Sequence, residues 1–175
     1  PRGDDAEELA ESRAALALEE AALAVVRSAV EGAGGRMVPV SMPDELPVGA
    51  LRIILSAEAG AAFDELTRSG RDDLLVQQTA FAWPNTFRQA RMIPAVEYIQ
   101  ANRIRTMLMG QVERALADVD VFVTPSYADN VLLTTNLTGQ PCCVVPDGMI
   151  DGRPHSISFI GNLWKESETL RVAKA

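Results

Sequence analysis

The chain has 175 residues, 47% of them hydrophobic and 23% charged, with a net charge of −8 and an isoelectric point near 4.7. That length suits one domain, residues 1–175, with a sizeable core. The acidic balance argues against a nucleic-acid backbone or an anionic membrane surface as partner, and no apolar run approaches the roughly 18 residues that span a bilayer.

In chain order, the first ~30 residues predict an Ala- and Glu-rich helix, with Leu9, Leu16, Leu23, Val26 and Val30 near helical spacing and "GAGG" at 32–35 as its stop. "RMVPV" at 36–40 reads as a short strand, its internal Pro39 favouring an edge. A second helical segment covers residues 51–68. The clearest helix spans 95–119, with Val96, Ile99, Ile104, Met107, Leu108, Val112 and Leu116 as a buried stripe. "VDVFVTP" is a β-branched strand ended by Pro125, "PCCVVP" a second buried strand, and "HSISFIG" a third that returns antiparallel to it. "DGMIDGRP", with two Asp-Gly pairs, is the turn region between those two. A final helix carries Leu170 and Ala173. Helices mixed with short buried strands predict an α/β layered domain.

The candidate chemistry is sparse. Cys142 and Cys143 are the only thiols; on a strand they point to opposite faces, which favours packing in two different cores. With no basic leader or apolar signal core, a reducing cytoplasm is the expected compartment. The chain opens at Pro1 rather than methionine, which points to a shortened or processed product. Asn136-Leu137-Thr138 is a formal glycosylation triplet without secretory context. His155, the single histidine, adjoins Ser156 and Ser158, but neighbours on a strand project in opposite directions and no Gly-x-Ser-x-Gly elbow exists; a surface strand-start role is expected. Lys165 and Lys174 are the only lysines, and a solvated role suits both. Asp72 and Asp73 read as helix-end or solvated charges. No Gly-rich phosphate loop, metal-ligand pattern or cofactor motif is present.

The order of segments carries more information than any single motif. "YIQANRIRT", "ADVDVFVTPS", "TNLTGQPCCVVPDG" and "SISFIGNLWKESETLRVAKA" closely resemble, in sequence, the C-terminal half of the amidase signature family. The upstream "VEGAGGRMVPVSMP" echoes a further pattern of the family, and "ILSAEAGAAFDELTRSGRDD" and "WPNTFRQARMIPAVEYIQA" resemble one bacterial branch of it, so the resemblance spans nearly the whole chain. It implies the C-terminal portion of that family's fold, a layered α/β/α arrangement with a short mixed sheet flanked by helices. The family's chemistry uses a lysine, a bridging serine in a cis peptide bond and a nucleophilic serine in a Gly/Ser-rich run, which together attack an amide carbonyl. Nothing here resembles that run, and neither lysine has the right context. The resemblance therefore implies a scaffold and cleft-wall role in an amide hydrolase, no catalytic residue of its own, and no metal or organic cofactor. It also implies a missing catalytic N-terminal half or self-association as partner, and a small amide as substrate of the full-length protein. A natural remnant that serves as a binding or self-assembly module is the rival expectation. By position, Asp129, seven residues before Asn136, corresponds to an acidic substrate contact of the glutamine-specific branch, and Asp129 and Asn136 are the candidate substrate-side residues. The bland alternatives are a loop-capping carboxylate and a side-chain bond that fixes a turn.

Overall fold

The computed structural model describes residues 3–128, 130–150 and 152–174. Their contacts gather in two compact units: Pro43–Gln111, and Pro1–Met42 together with Val112–Ala175.

In the Pro43–Gln111 unit, the predicted helix over 51–68 divides into three pieces. A 3-10 turn over Val48–Leu51 leads into α2 (Arg52–Ala62), and α3 (Asp64–Arg68) follows after Phe63 leaves helical geometry at φ −104° and ψ 20°. The break lets Phe63 stack on Phe87, 4.9 Å between ring centroids, and Trp83 stacks on Phe87 as well, at 5.6 Å. Phe87 lies on α4 (Trp83–Ala90), whose Pro84 occupies the first turn, where a missing N–H costs nothing. Helices α2 and α4 approach closely at Gly60: a Cβ there would lie 2.5 Å from the Ala90 Cβ. Asp72 is buried at the start of a 3-10 turn, not solvated, because Arg88 covers it, its Nη2 lying 2.7 Å from Asp72 Oδ2 and 2.6 Å from Asp73 Oδ1. Helix α5 (Ala95–Ala115) starts in this unit, where Tyr98 Oη donates to Glu58 Oε1 at 3.1 Å and Gln111 Nε2 donates to Glu45 Oε2 at 2.8 Å. Only part of its predicted stripe is buried. Leu108 and Val112 are enclosed, but Val96, Ile99 and Met107 are 63%, 57% and 59% exposed.

The other unit holds α1 (Gly3–Gly32) and the sheet. Helix α1 ends where expected, with Gly34 beyond it in the left-handed region at φ 84°. Residues 36–40 form no strand; Pro39 removes a donor from the middle of that short run. Strands β1 (Val121–Pro125), β2 (Cys142–Ile150) and β3 (Arg153–Gly161) form one sheet in the order β1-β3-β2. Both pairings are antiparallel, so the sheet is not mixed, and Phe159 of β3 stands between Val123 and Cys143. The turn region is narrower than the sequence suggested. Gly152, at φ 74°, turns the hairpin, and the other Asp-Gly pair falls inside β2, where the register shifts between Pro146 and Gly148.

Two elements connect the strands to their cover. Helix α6 (Val131–Thr138) precedes β2 and ends on Gly139 at φ 88°, whose N–H returns to Thr135 O at 2.8 Å. Helix α7 (Glu166–Lys174) packs on β3, and a Cβ on Gly161 would lie 1.9 Å from Thr169 Oγ1. Among the described residues, Ile157, Phe159 and Ile160 of β3, with Val112, Leu116 and Leu137, supply the unit's buried apolar residues. The cysteines are free and do not fill two cores: Cys142 is exposed and Cys143 half-buried. Strand β2 lies at the sheet edge and alternates, with Cys142, Val144 and Pro146 exposed on one face.

Candidate functional site

The polar residues of the strand unit gather at the C-terminal end of β1. The chain leaves β1 at Pro125, and Ser126 N–H donates to Ser156 O at 3.2 Å, which continues the ladder one step past the strand. Ser156 and Ser158 lie two apart on β3 and therefore share a face. Ser156 Oγ donates to Ser126 Oγ at 2.9 Å, and Ser126 Oγ lies 2.9 Å from Ser158 Oγ. Three hydroxyls thus satisfy one another across two strands. Ser158 is buried at 4% exposure, and neither lysine is among these partners.

Beyond Ser126 a tight turn, with Ala128 N–H donating to Pro125 O at 3.2 Å and Val131 N–H to Ala128 O at 3.0 Å, leads into α6. Asp129 lies outside the described residues. Asn136 is exposed on α6, and its Nδ2 donates to Leu132 O, four residues back, at 2.7 Å. That bond tethers the side chain to its own helix instead of fixing a turn. It leaves one amide hydrogen and the side-chain oxygen for other partners. Thr138, the last residue of the glycosylation triplet, is 2% exposed and donates to Thr134 O at 2.8 Å, so its hydroxyl is committed inside the fold.

His155 faces away from the serines, as alternation requires, but it is not a surface residue. Its Nδ1 lies 2.9 Å from Asp147 Oδ1 and its Nε2 lies 3.7 Å from Glu19 Oε1, with the imidazole 20% exposed. No sequence pattern joins these three residues, because Asp147 reaches His155 only through the register shift in β2. The serine cluster left a fainter trace: a serine just after a strand-ending proline, and two serines at alternate positions of another strand.

Electrostatics point elsewhere. Among the described residues, the carboxyls held below the ordinary range are Asp64, by a hydrogen bond from Arg68 and the charge of Arg91, and Glu168, chiefly by the Ser167 hydroxyl. Both lie outside this site. Lys165 pairs with Glu168 at 3.7 Å and is 58% exposed. Among the described residues no three His, Cys, Asp or Glu side chains form a metal-ligand set, no peptide bond is cis, and no helix is long and apolar enough to cross a membrane.

Comparison with known proteins places this geometry. The glutamyl-tRNA(Gln) amidotransferase of Alcanivorax borkumensis has one component that is 26% identical over 183 aligned residues, covering 82% of this chain and 37% of that protein. The corresponding component from Dechloromonas aromatica is 26% identical over 86% of the chain and 40% of its own length. The peptide amidase of Stenotrophomonas maltophilia superposes with a TM-score of 0.67 at 21% identity, over 86% of this chain and 37% of that one. The chain is similar in sequence and in fold to amidase signature enzymes. No protein-family profile matches it. It spans about two-fifths of the length of these two curated relatives, and the shared fold identifies the β1-β3-β2 sheet with its helices as part of an amidase-signature α/β domain.

Proposed function

We propose that this chain is the scaffold and one cleft wall of an amide hydrolase, and that the groups which attack the carbonyl come from polypeptide outside these residues. The observation that carries this reading is the fate of the reactive residue types. The serines at the end of β1 bond to one another, while Lys165 is engaged by Glu168 and exposed, and Lys174 is exposed. A serine becomes a nucleophile only beside a base, and Ser126, Ser156 and Ser158 have hydroxyl partners instead. In this reading Asp129 and Asn136 stand on the substrate side, Asn136 offering its outward amide to the polar part of a small amide.

The test is to incubate the purified 175-residue chain with aryl and primary amides, with and without a serine-directed reagent. No turnover is expected. Reagent-sensitive release of ammonia or arylamine would overturn the reading.

The rival, a binding or self-assembly module, is favoured by α5. An apolar helix surface is normally covered, yet Val96, Ile99 and Met107 of α5 are open. Both readings require that face to be covered, by the remainder of the domain in the first and by another copy in the second. Light scattering of the isolated chain measures the second directly.

A further inference from the structure

We propose that the free edge of β2 pairs with itself: the β2 of a second copy of this chain docks on it antiparallel, with Cys143 at the two-fold axis. The inference stands apart from the amide-hydrolase reading and uses a different surface from the open face of α5.

The hydrogen-bond parity of the sheet fixes which main-chain groups look outward. Ser126 N–H donates to Ser156 O at 3.2 Å, and Gly161 N–H donates to Pro141 O at 2.9 Å. On β3, therefore, the even-numbered residues bond toward β1 and the odd-numbered ones toward β2. Cys143 and Val145, paired with Phe159 and Ile157, turn their main-chain groups inward. Cys142 and Val144 turn theirs to the side where the sheet ends.

The open stretch is short and bounded. Upstream, Gln140 N–H is engaged by Thr135 O at 3.2 Å. Downstream, Pro146 has no N–H, and the register shift before Gly148 bends the strand. Prolines, bulges and charged side chains are the ordinary guards of a sheet edge, and here they guard only the far half of β2. From Cys142 to Val145 there is no charge. Cys142 is exposed and Val144 is 56% exposed. The other edge strand, β1, has no exposed residue.

A second β2 suits this stretch because the pattern is its own complement. With the axis through Cys143, Cys142 and the partner's Val144 exchange both N–H···O bonds, and Val144 does the same with the partner's Cys142. That satisfies each outward N–H of both copies. Cys142 and Val144 share a face, so each lies opposite an apolar side chain of the partner. The Cys143 residues meet as a non-hydrogen-bonded pair, about 4.5 Å between Cα atoms, inside the roughly 4.4–6.8 Å that a disulfide spans. The next carboxylate along the strand, Asp147, is 8% exposed and engaged by His155. Repulsion from the net charge of −8 therefore acts from a distance and is screened by salt. Edge bonds and a few small side chains bury less than the ~1,000 Å² of a stable interface, so the association is weak and concentration-dependent.

Oxidative cross-linking of the 175-residue chain tests the pairing. Diamide accepts the electrons and protons released as the thiols join. Random collision joins copies through the more exposed thiol, Cys142; strand pairing joins them through Cys143. Cys142→Ser, which keeps Cys143, should form a covalent dimer whose yield rises with protein concentration, and Cys143→Ser should form little. Adding Val144→Pro to Cys142→Ser removes an outward N–H without touching a β3 bond and should abolish the dimer. If circular dichroism shows that the proline variant fails to fold, Val144→Lys, a charge on the edge side chain, gives the answer. In the native chain, exchange of the Cys142 and Val144 amides should slow as concentration rises, while the Cys143 and Val145 amides stay level. The proposal is overturned by a dimer that Cys143→Ser forms as readily, or by a Val144→Lys chain that cross-links like its parent. It is equally overturned if exchange of the Cys142 and Val144 amides ignores concentration, the result of an edge reserved for a different strand.

Discussion

Gly161 and Trp164 show how single positions carry the β3–α7 connection. The Thr169 hydroxyl occupies the space a Cβ on Gly161 would need, 1.9 Å away, and Thr169 is 2% exposed with its own bond to Lys165 O at 3.0 Å. Gly161→Ala should therefore cost about 1–3 kcal/mol of overpacking, and Thr169→Ala in the same molecule should return part of it. Urea midpoints of the two single variants and the double variant measure the coupling. Trp164 presents the opposite case. It sits at φ 65° with its side chain 88% exposed, so it bears left-handed strain with little packing in return. Replacing it by glycine should raise stability by about 1 kcal/mol, read from the same unfolding curves; a loss of that size would mean the indole packs on something the exposure does not reveal.

Among the elements, α6 is the one the sequence conceals. "VLLTTNLT" is rich in β-branched and self-bonding residues that disfavour helix, and a polar stretch leading to Gly-Gln-Pro reads as loop. The helix exists because tertiary burial outweighs propensity: Thr134, Leu137 and Thr138 are enclosed, and Thr135, Asn136 and Thr138 bond back to helix carbonyls. Gly139→Ala, which places a Cβ at φ 88°, should cost about 1 kcal/mol, checked by thermal unfolding. Strands β1 and β3 were legible because alternation and β-branching are local signals. The exposure of Cys142 was not, since it depends on whether another layer covers an edge strand. At α3, Asp64 is held below its usual range mainly by Arg68, then by Arg91. A lowered carboxyl stabilises above its unfolded value and loses that contribution as pH falls through its folded one. Acidification below pH 3.8, the ordinary aspartate value, should thus lower the melting temperature of the native chain more than that of Asp64→Asn, with a small difference because the group is exposed.

At the scale of the whole chain, the order of segments was legible and the location of cover was not. The sequence pattern places seven apolar residues on one stripe of a helix over 95–119; the structure encloses Leu108 and Val112 of α5 and Leu116 just beyond it, and leaves Val96, Ile99 and Met107 open. Periodicity records that a face is apolar and is silent on what lies against it. Asn136 was not legible as a helical residue, and the Glu19–His155–Asp147 cluster was invisible because a register shift creates it. If the open stripe drives self-association, Ile99→Glu should shift the chain toward monomer in light scattering while changing the unfolding midpoint by less than about 0.5 kcal/mol equivalent, as expected of an exposed site.

The strand order has a temporal meaning. Strand β3 is central in the sheet and the last of the three to be synthesised, so β1 leaves the ribosome with neither of its edges able to pair within this sheet. Until Gly161 has emerged, those five residues present an apolar ribbon to other nascent chains or to a chaperone. The nine-residue arms of the β2–β3 hairpin can close on each other quickly through a two-residue turn. The assembled hairpin then offers β1, made before α6, the edge it lacked while it was emerging.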